Sequence, residues 1–579
     1  MYRRTIACLA ALLAFAATSF ADRPVLQDRT PILERPWTTD AGKFSFVILG
    51  DKTGGGPEGW PTFDRAVAEI NRLDPDFVVM VGDMVQGYME DTSAVAAQWE
   101  EFWSHARALE VPLFFYPGNH DVSNPPMLEL WKQRHGRRYY SFDYQGCHFL
   151  MLNTDEERDG GTGFFGDEQM EFALEDLAAR PDARHTFVFM HKPAWIEPQY
   201  RETWGQIVEE LGDRPHTVVA GHWHNLKYEE RDGHTYLVHG ATGAHLRESE
   251  VRETGAFYHY TLVTVNGDDV SMAIIEPGSI WPADIAPMSF AREARRLVNI
   301  VALPPEDLDA GRATAGYAAV LRNGLPDTAT VDITATLPQG WSTAEPGGET
   351  LRETLAPGAE RTVERRFTVA DGDLAPPPEL SMALRYHGDL LHESTMNMPI
   401  LPEDELVTAP EWHAVGPWFI DELPSRIPPD PRSALPQLFL QRAPDRGFDS
   451  SAEYENEEGT TLRWTTIPAL DAGLVPLDGL GGRDRFATAY AVCGVWSPAD
   501  SRVFAAFRAD DYGQIIVNGN EMDVYRTRRD AEPVALTLRE GWNTAMVKVS
   551  NIEGGWSFSL RLFDPEGTLR FSATPGGAE

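Results

Sequence analysis

The sequence predicts an α/β domain in the first half of the chain, followed by two all-β domains. Three observations carry that expectation. Between Lys43 and about Ile275, short apolar runs alternate with amphipathic helical patterns. Beyond residue 298 the helical periodicity disappears, and strand-like runs with closely spaced turn residues take over. The chain has 579 residues, too many for one hydrophobic core when about 150 residues per domain is ordinary.

Taken in order, the N-terminus reads as a signal peptide over residues 1–21. Arg3 and Arg4 form its basic region, Ile6 to Ala17 its apolar region, and Ser19-Phe20-Ala21 its small-residue cleavage site. Cleavage before Asp22 would leave an extension over 22–42 and a periplasmic or secreted protein. The apolar run is short for a membrane span, and no later segment is long enough, so no span is expected in the mature chain.

The α/β domain is expected over 43–288. Its strands are Phe44–Leu49, Phe77–Val81, Leu113–Tyr116, Cys147–Leu152, Thr186–Met190 and Thr217–Ala220. Its helices are Thr62–Arg72, a segment carrying Trp99, Phe102 and Trp103, and Gln169–Ala178. A short helix, Ser289–Arg296, acts as a spacer. A β-sandwich follows over 297–400, with strands such as Thr330–Thr336 and Thr362–Val369. After a linker at Glu403-Asp404-Glu405, a second all-β domain runs over 406–579, with an Asn518-Gly519 turn between strands.

Acidic side chains outnumber basic ones, 88 to 50, for a formal charge of -38. Such a surface repels polyanions, so no nucleic-acid polymer is expected as a partner. A phosphate substrate would need local positive charge, which bound metal ions supply. The mature chain keeps only Cys147 and Cys493, in apolar strand-like surroundings of different domains, and these read as buried free thiols.

Five apolar strands each end in metal-ligand chemistry. The endings are Gly50-Asp51, Gly82-Asp83, Gly118-Asn119-His120-Asp121, His191-Lys192 and Gly221-His222-Trp223-His224. Loops at the carboxyl ends of strands in an α/β sheet converge on one crevice. Carboxylates, an amide oxygen and imidazoles suit Mn²⁺, Fe, Zn²⁺ or Mg²⁺, whereas a structural zinc site would be rich in cysteine. A single histidine at a strand end is ordinarily a satisfied surface or core residue, and Asp after Gly is ordinarily turn chemistry. The weight lies in the ordered set of five.

In that order the motifs resemble the calcineurin-like metallophosphoesterase superfamily, which includes purple acid phosphatases and many phosphodiesterases. The resemblance covers about residues 43–275. It implies a four-layer α/β/β/α sandwich with two divalent metal ions. By motif position Asp83 would bridge both ions, Asn119, His191 and His222 would complete one shell, and Asp51 and His224 would serve the other. His120 would protonate the leaving oxygen and Asp121 would orient that neighbourhood. The implied activity is hydrolysis of small phosphomonoesters or phosphodiesters by attack of a metal-bound hydroxide.

One position departs from the pattern. The first motif reads Asp51-Lys52-Thr53, with threonine where the superfamily commonly has histidine. The tyrosine that purple acid phosphatases supply is also missing: its position holds Gln86, and Tyr88 comes two residues too late. The ion near Asp51 is therefore expected to be the weaker, with water or Gln86 completing its shell. Lys52, Thr53, Gln86 and Lys192 are the candidate substrate-proximal residues. Lys52 reads either as a cation on a phosphate-facing glycine loop or as a solvated lysine in a turn.

The sandwich over 297–400 weakly resembles immunoglobulin-like modules, and the last domain resembles galactose-binding-like jelly rolls found beside secreted hydrolases. The latter resemblance implies carbohydrate binding through Trp542 or Trp556, with burial of both tryptophans as the alternative. Two further functional readings stand beside hydrolysis. One is a degenerate domain that holds metal without turnover, and the other is a surface glycan-binding or adhesion protein.

Overall fold

The computed structural model describes residues 42–576 apart from 56–57, 159–160, 247–248, 308–311, 344, 371–373, 420–439, 482–485, 523–531 and 552–554. The expected signal peptide and the extension up to residue 41 lie outside the described residues. Contacts divide the chain into two units, one running to Arg295 and including Tyr386–His392, the other comprising Arg296–Arg385 and Glu393–Glu579.

The first unit contains strands β1 (Lys43–Leu49), β2 (Phe77–Met80), β3 (Leu113–Phe115), β4 (Tyr140–Tyr144), β5 (Cys147–Leu152), β6 (Glu156–Arg158), β7 (Gly161–Phe164), β8 (Thr186–Met190), β9 (His216–Ala220), β10 (Lys227–Arg231), β11 (His234–Val238), β12 (Tyr260–Asn266), β13 (Asp269–Glu276) and β14 (Ser279–Pro282). Helices α1 (Gly59–Leu73), α2 (Thr92–Ala106), α3 (Pro125–Arg134), α4 (Asp167–Ala178), α5 (Arg201–Leu211) and α6 (Met288–Arg295) are set between and after them. One six-stranded sheet has the order β14-β13-β12-β1-β2-β3 and the other β10-β11-β9-β8-β5-β4. β1, β2 and β3 run parallel, as do β5, β8, β9 and β11.

Strand alternation builds the layers. In β1, Phe46 and Ile48 enter a core shared with Phe149, Phe187, Phe189 and Val219 of the second sheet. The intervening Val47 and Leu49 pack with Phe63 and Ile70 of α1 and with Trp99 and Trp103 of α2. In β5, Phe149 and Met151 join the inter-sheet core, while Leu150 and Leu152 meet Ala173 and Leu177 of α4 and Ile207 of α5. The result is helices, sheet, sheet, helices: the four-layer α/β/β/α sandwich. Strands buried on both faces are why these segments read as continuous apolar runs.

Local chemistry sets the helix starts. Asp91 caps α2 by accepting from Ser93 N and Ala94 N, and Asn124 caps α3 by accepting from Met127 N. α3 opens on Pro125, where the missing N–H costs nothing.

Beyond Arg296 the described residues form strands and short 3-10 turns, with no α-helix. Two four-stranded sheets are formed within 298–397, one ordered Val298–Glu306, Ala313–Arg322, Glu360–Val369, Trp341–Thr343, the other Thr350–Leu355, Ala329–Thr336, Glu379–Tyr386, Asp389–Asn397. From Leu406 onward a five-stranded and a seven-stranded sheet enclose a core that includes Trp412, Phe507 and Trp556. Asn518 and Gly519, both at positive φ, turn the hairpin between Tyr512–Val517 and Asn520–Met522. Trp556 is fully buried, which removes it as a sugar-stacking surface, whereas Trp542 is 40% exposed. Cys147 and Cys493 are free and buried.

Candidate metal centre

The carboxyl ends of β1, β2, β3, β8 and β9 deliver the five motifs to one place. The ladders continue one step past the strands. Val81 N donates to Leu49 O at 3.1 Å and Gly221 N to His191 O at 2.8 Å, so the ligand-bearing ends stay in register. Lys52 N and Thr53 N then both donate to Asp83 O at 3.0 Å, tying the first motif to the second. Gly118 and Gly221 are required by close approach: a Cβ at Gly118 would strike Asp83 Oδ1, and one at Gly221 would strike Asp51 Oδ1.

Two overlapping ligand groups result. Ligand atoms of Asp83, His191 and His222 lie within 4.8 Å of one another, as do those of Asp51, Asp83 and His224. Asp83 belongs to both. Asn119 Oδ1 is 3.0 Å from His191 Nε2, which places the amide oxygen with the first group. Asp83, His222 and His224 sit at positive φ (53°, 71° and 58°), an unfavourable conformation for such side chains that clusters at functional sites.

Surrounding backbone fixes which imidazole nitrogen is free. His191 Nδ1 lies 2.7 Å from Val81 O and His224 Nδ1 lies 2.8 Å from His245 O, so each Nδ1–H donates outward and each Nε2 faces the group. His191 Nε2 is 3.1 Å from Asp83 Oδ2, and His224 Nε2 is 3.2 Å from Asp51 Oδ2. Burial alone would lower His191, but the facing Asp83 carboxylate raises it to about 10. Asp83 in turn is lowered despite its burial, because of His191. Burial and then the charge of His191 push His222 down to about 3, keeping it neutral and ready to donate a lone pair.

These residues fit divalent cations. Asp51 Oδ2 accepts from His222 N at 2.9 Å, but Asp51 Oδ1 is buried without a hydrogen-bond partner. A buried carboxylate oxygen left in that state is costly, and it points to a cation as its partner.

His120 stands beside the ligand groups. Its N donates to Asp83 Oδ1 at 3.0 Å and its Nδ1 lies 2.6 Å from Gln86 O, which leaves Nε2 directed elsewhere. Asp121 touches none of the ligand side chains by these bonds. Oδ2 accepts from Asp83 N (2.8 Å) and Gly118 N (2.9 Å), and Oδ1 accepts from Met84 N (3.0 Å) and Val85 N (3.2 Å). It is a positioning residue that clamps two motifs together. Burial and then the Asp83 charge push its carboxyl up to about 8, against amide donors that favour the ionised form.

The substrate-proximal candidates divide. The structure corrects the phosphate-facing reading of Lys52. Its Nζ lies over the Trp60 ring, 3.9 Å from the centroid, and its attractive charges are Glu101 and Asp64. Burial holds its ammonium below the usual lysine range, and the site's carboxylates do not claim it. Lys192 is already paired, with Nζ 2.5 Å from Asp155 Oδ1. Thr53 Oγ1 lies 3.4 Å from both His120 Nδ1 and Gln86 Oε1, and Gln86 Oε1 accepts from Gly54 N at 3.1 Å. Gln86 therefore braces the first-motif loop, and this corrects its reading as a stand-in ligand.

Several contributors carried no readable signal. Val81 and His245 act through carbonyls, and Thr242 N and Ala244 N both donate to Asp51 O (3.1 and 3.0 Å). The segment Gly240-Ala241-Thr242-Gly243 follows a strand much as the five motifs do, but it offers no ligand side chain that would have marked it. Asp155 and Tyr88 also reach this neighbourhood from outside the motifs.

The family model described as calcineurin-like phosphoesterase matches residues 39–226. A protein from Danio rerio named serine/threonine-protein phosphatase CPPED1 is 30% identical over 230 residues, covering 34% of this chain and 71% of that protein. Its namesake from Bos taurus is 28% identical over 228 residues, covering 33% and 71%. A solved structure described as a dimetal phosphatase from Danio rerio is 14% identical, covers 40% of this chain and 98% of that one, and has a TM-score of 0.32. On the family model and the 30% identical relative, the chain belongs to the calcineurin-like phosphoesterase family.

Proposed function

We propose that the chain is an exported hydrolase of small phosphate esters that works with two divalent cations. The reading rests on the two ligand groups that share Asp83, one of which contains Asp51 with its unpartnered buried Oδ1. Divalent cations bound there would supply positive charge for phosphoryl oxygens and make a water acidic enough to act as nucleophile near neutral pH.

This chain's own residues do the rest. Asp83, Asn119, His191 and His222 would hold one cation, and Asp51, Asp83 and His224 the other. His120, anchored through Nδ1 on Gln86 O, presents Nε2 and would hand a proton from it to the leaving oxygen. Asp121 keeps Asp83 and the Gly118–His120 turn at fixed separation, which is the positioning such a transfer needs. The relatives' name, serine/threonine-protein phosphatase, favours monoesters over diesters.

Thr53 in place of the first-motif histidine favours a second reading, a domain that holds metal without turnover. Nitrophenyl phosphate, bis(nitrophenyl) phosphate and a phosphoserine peptide, each tested with Mn²⁺, Zn²⁺ and Mg²⁺, separate the two. Turnover of at least one is expected, and His120→Ala should retain metal yet lose about 10²–10⁴-fold in kcat. No turnover with any metal would favour the second reading. Export is part of the proposal, and the mature N-terminus of protein recovered outside the cytoplasm should be Asp22.

A further inference from the structure

Tyr88 belongs to no motif, yet it is built into the site. It is the second of two consecutive residues in the left-handed region, after Gly87 (φ 60° and 52°). That conformation is rare for a bulky residue and calls for an explanation. Burial does not give one, because Tyr88 is 60% exposed. The loop is nevertheless pinned: Gly87 N donates to Gln98 Oε1 at 3.0 Å, and Tyr88 N to Ser123 Oγ at 3.1 Å.

The strained backbone places the phenol against two site residues. Tyr88 hydroxyl accepts from Asn119 Nδ2 at 3.0 Å, and its ring meets the His120 ring edge-on with centroids 4.8 Å apart. Asn119 is the member of its group that is neither a carboxylate nor an imidazole. A neutral amide has little charge to hold it toward a cation, so its usefulness depends on orientation. With Nδ2 engaged by the phenol, Oδ1 is turned toward His191 Nε2, 3.0 Å away.

We propose that Tyr88 is a positioning residue: its hydroxyl tethers the Asn119 amide so that Oδ1 faces the group of Asp83, His191 and His222. The inference rests on the metal-dependent reading above. Groups that orient a ligand in this way are worth about 10–100-fold in metal affinity.

The test is a Mn²⁺ titration of the metal-free, full-length chain by calorimetry. Wild type, Tyr88→Phe, Asn119→Ala and the double variant are compared, with thermal unfolding of each metal-free protein as the control. Tyr88→Phe should weaken one Mn²⁺ by about tenfold or more without lowering the metal-free unfolding temperature. In the Asn119→Ala background it should add nothing, because the two act through one interaction. Wild-type affinity in Tyr88→Phe, or a full additional loss on top of Asn119→Ala, overturns the role of Tyr88 alone. A wild-type chain that takes up no Mn²⁺ overturns the reading of the site, and the tether with it.

Discussion

Asparagine in place of Asp121 keeps the side chain's volume and one of its two oxygens, so it isolates what the second oxygen contributes. Each oxygen accepts two backbone N–H groups, one pair from Asp83 and Gly118 and the other from Met84 and Val85. Whichever way the amide is turned, its NH₂ confronts one pair, and two buried donors are stranded. At about 1–3 kcal/mol per stranded group, Asp121→Asn should destabilise this region by about 2–6 kcal/mol. The loss should be local, because these donors join the ends of two strands. Hydrogen exchange of the metal-free protein, followed by mass spectrometry, should therefore show faster exchange in peptides covering 82–86 and 117–121, with the second unit unchanged. Calorimetry of the whole chain is a poorer measure, since two units need not unfold together. Catalysis should fall by about 10²-fold, because His120 and Asn119 ride on the displaced turn. The opposite outcome is informative. Burial and Asp83 push this carboxyl up to about 8, and a protonated Asp121 would resemble an amide closely. Wild-type exchange in Asp121→Asn would mean that the neutral form is the native one and that the clamp is not ionic.

The two proposed cations should leave at different chelator concentrations, because side chains would supply four ligands to one (Asp83, Asn119, His191, His222) and three to the other (Asp51, Asp83, His224); elemental analysis after dialysis that finds equal retention contradicts this. Lys52→Met should change kcat/KM by less than about twofold, since the ammonium sits on Trp60, and should lose a desolvated cation–π contact of about 2 kcal/mol, offset by relief of the buried charge; a large fall in kcat/KM at unchanged stability would return Lys52 to the substrate. Acid should expose a histidine cluster lining a cavity of about 430 Å³ with Asp213 and Asp268. Burial, with the neighbouring imidazoles, holds His185 down to about 4, and burial with His234 holds His216 there against its bond to Arg214 O. Both bind protons near pH 6.5 when unfolded and resist them when folded. Their contribution is complete above pH 6.5, declines by up to about 1.4 kcal/mol per pH unit for each histidine as pH falls, and is gone below 4. The unfolding temperature of a His185→Gln/His216→Gln variant should fall less steeply than that of the wild type between pH 6.5 and 4; identical slopes would refute the assignment.

Much of the first unit was legible because its strands are buried on both faces. Phe77–Val81, Leu113–Tyr116 and Phe187–Met190 are unbroken apolar runs, and ligands stand just past where those runs stop. The elements that escaped had mixed signals. α3 opens on Pro125-Pro126, which reads as a loop until Asn124 is seen capping it. β10 is Lys-Tyr-Glu-Glu-Arg, with no apolar face in its sequence, and pairs at the sheet edge. The site was legible where chemistry lies in side chains and opaque where it lies in backbone. No residue type announces that Val81 O or His245 O will fix an imidazole tautomer, or that Lys52 will turn onto a tryptophan eight positions later.

The first-motif substitution illustrates how such a site absorbs a lost ligand type. Threonine cannot reach a cation as an imidazole does, yet Thr53 is buried and engaged. Its hydroxyl lies within 3.4 Å of Gln86 Oε1 and of His120 Nδ1, while Gln86 O takes the His120 Nδ1 proton at 2.6 Å. Threonine at this position braces Gln86, whose carbonyl in turn holds the residue that would serve the leaving oxygen. A shell with fewer protein ligands keeps more room for water and for substrate oxygens, and a better-anchored His120 keeps its Nε2 aimed. Both consequences follow from one side chain, so a histidine restored at position 53 should tighten the weaker cation while loosening His120. Tighter metal with lower kcat is the expected signature of Thr53→His, and a gain in both would show that the threonine braces nothing.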